Sequence, residues 1–330
     1  MEYVTISQTD IKVSRVALGT WAIGGWMWGG TDENQSIATI HAALDQGVNL
    51  VDTAPVYGFG RSEEIVGKAL KQYKKDKQVY IATKAGLEWT DDEKVVRNAS
   101  PRRLGQEIDD SLRRLGVDHI DIYYVHWPDP LVPVEETAGI MNTFLQQGKI
   151  GAIGVSNYSP EQMDAFRREA PIHLCQPPYN IFERGIENNI FPYCKVNNIA
   201  LMTYGALCRG LLSGKMHRDR KFKGDDLRKA DPKFQQPRFD QYLKAADELK
   251  SLAAEKNKDL LPLAVRWILD QGVEIALWGG RTPRQMTPLP EVFGWELDHD
   301  ARERVDRILA DNIKDPKGPE FMAPPSKKET

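Results

Sequence analysis

The chain has 330 residues, of which 41% are hydrophobic and 28% charged, and its formal net charge is −3. That balance leaves no electrostatic footprint for nucleic acid or for an anionic membrane surface. No apolar run reaches the roughly 20 residues of a membrane span, and the start, MEYVTISQTDIKVSR, lacks the basic and apolar regions of a secretory signal.

Residues 3 to 16 alternate in polarity on either side of Thr9-Asp10 and read as a β-hairpin. Short apolar runs then recur along the chain. They are RVALG (15–19), VNLVD (48–52), VYIATK (79–84), IDIYYVH (120–126), IGAIGVS (150–156), IHLCQ (172–176), IALMTY (199–204) and EIALW (274–278). Near-continuous apolar strands are buried on both faces, as in parallel sheets. Amphipathic stretches separate them. In 101–115, Leu104, Ile108, Leu112 and Leu115 form one helical stripe, with Ser100 as cap and Pro101 in the first turn.

Eight strands alternating with helices predict an α/β fold, a closed (β/α)8 TIM barrel, rather than a doubly wound open sheet. The hairpin is expected to plug its bottom. Chains of this length run as one such domain, here residues 1–330. Two stretches are too long for simple crossovers. Residues 205–240, mixed in charge, read as a surface loop or a lid over a site. Residues 313–330 are rich in Pro and Gly; the last of them default to disorder, while Phe321 and Met322 are placed to fold back on the barrel. The three cysteines, Cys175, Cys194 and Cys208, cannot all pair and suit a reducing cytoplasm. Cys208 reads as a small buried packing residue.

Barrel chemistry sits at the carboxyl ends of the strands. Those ends offer Asp52, with Tyr57 in the glycine-bearing turn beyond it, then Lys84 and His126. Any one alone reads as a turn, packing or solvated residue; four on three adjacent strands read as a site. Tyrosine titrates near pH 10, so it is a weak donor at neutral pH. Lys84 is expected to lower that value, Asp52 to hold Lys84 charged, and His126 to orient a carbonyl oxygen. Such a centre protonates a developing alkoxide and needs a hydride from a cofactor.

The segments DTAPVYGFGRSEEIVGKAL, ATKAG, LRRLGVDHIDIYYVHWPD and KIGAIGVSNYSPEQM resemble the aldo-keto reductase superfamily, most closely its bacterial subfamily 11. The resemblance implies a barrel that binds NADPH without a Rossmann fold, and a catalytic tetrad of Asp52, Tyr57, Lys84 and His126. No G-x-G-x-x-G follows a strand here. It further implies that Ser156, Asn157 and Gln176 bind the nicotinamide carboxamide and that Tyr204 stacks on the ring. Gly19, Thr20, Trp21 and Asp52 are expected to border the cofactor. The pyrophosphate falls to Gly205, Ala206, Leu207, Arg209, Gly210 and Lys215.

After the last strand, GGRTPRQ (279–285) is expected to open a helix whose N-terminus suits a phosphate. The resemblance implies that Arg281, Arg284 and Gln285 fall near the 2′-phosphate of NADPH, and Gly280 and Thr282 are expected to border the cofactor. Pro288 and Leu289 stand where many members carry a Glu-Asn pair near the adenine. Trp21, Tyr57, Trp89, His126 and Trp127 are expected to line the substrate pocket, while Trp26 and Trp28 read equally well as packing. The absence of an arginine fork favours neutral aldehydes, ketoaldehydes or sugars, reduced reversibly. Two other readings stand beside this one: a Schiff-base lyase of the class I aldolase type using Lys84, and a non-catalytic NADPH-binding regulator. A small carbonyl compound is the expected partner, with neither nucleic acid nor membrane.

Overall fold

The first strands build a floor and the rest build a wall. The computed structural model describes residues 1–73 and 77–327. β1 (Tyr3–Thr5) and β2 (Lys12–Ser14) pair antiparallel, with Tyr3 opposite Ser14. β3 (Val16–Gly19), β4 (Leu50–Asp52), β5 (Tyr80–Ala85), β8 (Ile120–Val125), β9 (Ile150–Ser156), β10 (Leu174–Gln176), β11 (Ala200–Thr203) and β12 (Ile275–Gly279) form a closed parallel barrel, with β9 bonded to β10 and β12 to β3. A second hairpin, β6 (Leu87–Trp89) with β7 (Val95–Arg97), follows β5 and was not foreseen.

Helices return the chain between strands. They are α1 (Trp21–Gly24), α2 (Glu33–Asp45), α3 (Arg61–Gln72), α4 (Pro101–Leu115), α5 (Val134–Gln146), α6 (Pro160–Phe166), α7 (Ile190–Val196), α8 (Arg238–Glu255), α9 (Leu260–Asp270) and α10 (His299–Asn312). α4 shows why the local signals suffice. The Ser100 hydroxyl accepts from the Arg103 N–H at 3.4 Å, Pro101 occupies the first turn, and Gly116 ends the helix at φ 69°. Leu104, Ile108 and Leu115 are buried on one stripe. No helix among the described residues is long and apolar enough to cross a membrane.

Two apolar clusters hold the barrel. The larger lies between strands and helices; the smaller fills the interior with Ala17, Leu50, Ala82, Ile122, Tyr124, Ala152, Leu174, Ala200, Met202, Ile275 and Leu277. Ile6 and Val13 of the first hairpin join the interior set, so that hairpin does plug the bottom. Packing there is tight: a Cβ on Gly154 would lie 2.2 Å from the Tyr124 ring, which makes glycine obligatory at that point.

Candidate active site

Side-chain parity along the strands selects the residues that meet at the barrel mouth. Interior residues recur every second position. One step of two beyond Ala17, Leu50, Ala82, Tyr124, Gly154, Leu174, Met202 and Leu277 come Gly19, Asp52, Lys84, His126, Ser156, Gln176, Tyr204 and Gly279. All except Lys84 line one cleft of about 690 Å³. Lys84 lies beneath the cleft and is fully buried.

The Lys84 ammonium donates to Asp52 Oδ1 at 2.6 Å and to the Thr53 carbonyl at 2.9 Å. Gln176 Nε2 donates to Asp52 Oδ2 at 2.9 Å, so both carboxylate oxygens are engaged. Burial pushes Asp52 up and Lys84 down, and each one's charge opposes the other's shift. Lys84 Nζ lies over the Tyr57 ring, 5.0 Å from its centroid. The same ring stacks on Trp21 at 5.9 Å and meets His126 edge-on at 5.8 Å. Tyr57 owes its place to a backbone contact between α1 and the turn. A Cβ on Gly24 would lie 2.4 Å from the Tyr57 carbonyl oxygen, and one on Gly58 (φ 69°) 2.2 Å from the Gly24 carbonyl oxygen.

The electrostatics correct one expectation. Burial, and then the Asp52 charge, push the Tyr57 phenol well above 10 rather than down. The ammonium meant to lower it is spent on Asp52 and the Thr53 carbonyl. Tyr57 is therefore held as a phenol with its proton in place. Burial, with Lys84 second, lowers His126 well below 6.5, so the imidazole is neutral and carries one ring N–H available to donate.

Away from the tetrad, the Ser156 hydroxyl donates to the Gln176 carbonyl at 2.8 Å. Asn157, in left-handed conformation at φ 61°, donates to the His126 carbonyl at 3.1 Å and accepts from the Tyr204 hydroxyl at 2.9 Å. Gly205, Ala206, Leu207, Gly210 and Lys215 line the next stretch of the cleft. Arg209 lines it too, but its guanidinium is claimed by Glu183 at 2.5 Å and Asp231 at 2.6 Å, and Lys233 joins Glu183 at 2.7 Å. This buried ion network orders the loop and leaves Arg209 little charge for a phosphate. Cys208 packs within it, fully buried, and its thiol is pushed up by that burial.

The far end of the cleft is cationic. Arg220, Arg228, Arg281 and Arg284 line it. Arg228 pairs with Asp226 at 2.5 Å, while burial and the Arg228 charge pull Arg281 below its usual value. Arg281 Nη1 donates to the Trp28 carbonyl at 2.7 Å. An anion there would relieve the mutual repulsion. The expected helix after β12 is absent: residues 283–285 make one 3-10 turn and 289–292 another. Pro288 and Pro290 lack the N–H groups an α-helix needs, so no helix dipole faces the cleft. Gln285 Oε1 caps this turn, accepting from the Arg281 and Thr282 N–H groups at 2.7 and 3.0 Å. The Thr282 side chain turns to Gln285 and stays out of the cleft lining. Pro288 borders the cleft, whereas Leu289 is buried in the core.

The other wall is aromatic and apolar, made by Trp21, Trp26, Trp127, Leu87 and Val95. Trp89 is not in it. After β5 the chain turns at Gly86 (φ 95°) into the second hairpin, where the Trp89 ring packs on Phe59 at 5.7 Å and carries the Arg103 guanidinium at 5.4 Å. Phe321 to Pro325 also line the cleft, with the Phe321 ring 5.7 Å from the Arg209 guanidinium, so the terminal segment folds back as its phenylalanine suggested. Residues 328–330 lie outside the described residues.

Comparison with known proteins agrees with this fold. Residues 15–310 match the model of the Aldo/keto reductase family. The chain belongs to that family. It is similar to the Aldo-keto reductase YhdN of Bacillus subtilis, 57% identical over 331 residues that cover 100% of both chains. It is 36% identical to the NADH-specific methylglyoxal reductase of Escherichia coli, over 87% of this chain and 91% of that one. Among solved structures, the glycerol dehydrogenase AKR11B4 from Gluconobacter oxydans superposes with a TM-score of 0.89 at 52% identity, covering 97% of this chain and 99% of that one. The reductase therefore falls in the bacterial subfamily 11 branch. It is a nicotinamide-dependent oxidoreductase acting on carbonyl and alcohol groups.

Sequence reasoning missed Arg220, Arg228 and the exact reach of the tail. Arg228 sits in a charge-mixed loop, and its one visible signal was the Asp226-Leu227-Arg228 spacing of a capped turn. Its meeting with the Trp28 ring, 5.4 Å away, joins residues far apart in the chain. A Schiff-base role for Lys84 gains no support, because an ammonium sealed behind Asp52 is a poor nucleophile.

Proposed function

We propose that this reductase uses NADPH to reduce small neutral aldehydes, ketoaldehydes or sugars, with Tyr57 as general acid. The observation that carries the reading is the cleft's polarity. A protonated phenol and a neutral imidazole stand at one end, an arginine cluster short of anions at the other, and exposed backbone runs between.

NADPH, when bound, supplies the hydride. Arg281, Arg284 and Arg228 would hold its 2′-phosphate, the backbone of residues 205–210 and the Lys215 side chain its pyrophosphate, and Ser156, Asn157, Gln176 and Tyr204 its nicotinamide. His126 donates to the substrate carbonyl oxygen and fixes its direction. Tyr57 gives its proton to that oxygen as negative charge develops, beside the ammonium of Lys84. Asp52 holds that ammonium in place. The aromatic wall excludes water and accepts small apolar faces. The names of two relatives, a methylglyoxal reductase and a glycerol dehydrogenase, support a three-carbon substrate.

One relative is named NADH-specific, so cofactor choice is the decisive test. Oxidation of NADPH and of NADH is followed with a panel of aldehydes, ketones and sugars, in the wild type and in Arg281→Ala. The expected result is faster turnover with NADPH, and an Arg281→Ala change that weakens NADPH binding about tenfold more than NADH binding, as for the loss of one charge-assisted contact. Equal weakening of both would remove the phosphate contact from the assignment.

A further inference from the structure

Arg97 stands at the end of β7, outside the cleft lining, yet it touches three parts of the substrate wall. Its Nε donates to the Pro324 carbonyl at 2.7 Å and its Nη1 to the Pro128 carbonyl at 3.2 Å. Its backbone N–H donates to the Pro325 carbonyl at 3.0 Å, and Ser326 pairs with it as a parallel bridge, a short third strand on the β6–β7 hairpin. The guanidinium lies 5.3 Å from the centre of the Trp127 ring. Among the described residues no carboxylate pairs with it, so its charge is spent on carbonyl oxygens and an aromatic face.

The partner segment explains why an arginine serves here. Pro324 and Pro325 have no N–H groups, so they can be fastened only by donors from the other side. A planar guanidinium reaches two carbonyls that diverge from each other, which a lysine ammonium on a flexible stem does less well. Upstream, Lys233 of the buried ion network donates to the Gly318 carbonyl at 2.9 Å. Phe321 to Pro325, the part that lines the cleft, is thus held at both ends.

We propose that Arg97 is a positioning residue for substrate: it clasps the terminal segment to the β6–β7 hairpin and Trp127, and so sets the substrate side of the cleft without touching the cofactor side. The proposal rests on the reading of the cleft as a carbonyl-reducing site. It assigns a separable effect, because Arg97 contacts Pro324, Pro325, Pro128 and Trp127 and none of the four arginines that line the far end of the cleft.

The test compares Arg97→Met, a chain lacking residues 320–330, and the two changes combined. Arg97→Met should raise KM for a small aldehyde about tenfold, the effect of losing one or two charge-assisted hydrogen bonds, with kcat and NADPH affinity within about twofold of wild type. Truncation should raise KM similarly, and adding Arg97→Met to the truncated chain should change nothing further. An unchanged KM in Arg97→Met, or an equal rise in the full and truncated backgrounds, would overturn the clasp. Hydrogen exchange gives a second measurement that needs no turnover: the amides of Phe321, Met322, Ala323, Ser326 and Lys327 should exchange about tenfold faster in Arg97→Met, consistent with lost local protection. Unchanged exchange counts against the clasp even if the enzyme reduces no aldehyde tried, and absent turnover with faster exchange counts against the functional reading alone.

Discussion

Tyr57 shows how one side chain is made into an acid by what surrounds it. Its half-buried ring packs against Trp21, His126 and the Lys84 ammonium, and its proton is held well past pH 10. Tyr57→Phe keeps the ring stacking and removes only the donor. Turnover should fall at least a hundredfold, the usual scale of general acid catalysis, while NADPH quenching of tryptophan fluorescence should titrate as in wild type. Retained turnover in the variant would remove the acid role. The pH dependence has a defined sign. Reduction needs Tyr57 protonated and His126 neutral; the first pKa is raised and the second lowered. Aldehyde reduction should therefore hold steady from about pH 6.5 to pH 10, between the ordinary values of the two groups. A limb inside that window, assigned by its loss in Tyr57→Phe or His126→Gln, would show that bound cofactor resets one of them.

Elements differ in how much of them was written locally. The strand ends were legible because parity is local: once Leu50 faces inward, Asp52 must as well. Trp89 was misread because Gly86 restarts the chain as a hairpin, and nothing in GLEWTDDEKVVR distinguishes that hairpin from a loop. The helix after β12 was misread because one proline in the first turn reads as a start, while the next two forbid continuation. The long loop, read as a surface loop or a lid, brings Arg220, Arg228 and Ala230 to the cleft lining, but its fastenings were invisible. The Asp225 carboxylate accepts from the Met27 and Gly29 N–H groups at 2.5 and 3.0 Å, and the Leu227 N–H donates to the Met27 carbonyl at 3.0 Å. These bonds tie the loop, as a strap, to the segment after α1. Asp225→Ala should speed both association and dissociation of NADPH, each by about fivefold, as expected when about 1 kcal/mol of fastening is lost. Stopped-flow fluorescence reads both rates; unchanged rates would mean that the strap does not gate entry.

At the scale of the molecule, the barrel buries ionisable groups as well as apolar ones, and the cost depends on pH. Glu107, on α4, is almost wholly buried; it accepts from the Gly86 N–H at 2.7 Å and meets Arg103 at 3.2 Å. Burial raises it to about 7, despite Arg103. The folded chain thus holds this proton more tightly than the unfolded chain, where the group titrates at its ordinary 4.5. The stability it contributes is fully present below 4.5 and is lost as pH rises through about 7. The loss amounts to roughly 3 kcal/mol at most, because each pKa unit is worth about 1.4 kcal/mol. Glu107→Gln keeps an acceptor for Gly86 and cannot ionise. Its melting temperature relative to wild type should therefore climb between pH 5 and pH 7 and level off above. A difference that stays flat across that range would show that Arg103 keeps Glu107 ionised in the fold, and that the turn which launches the β6–β7 hairpin, and with it the substrate wall, rests on a charged cap.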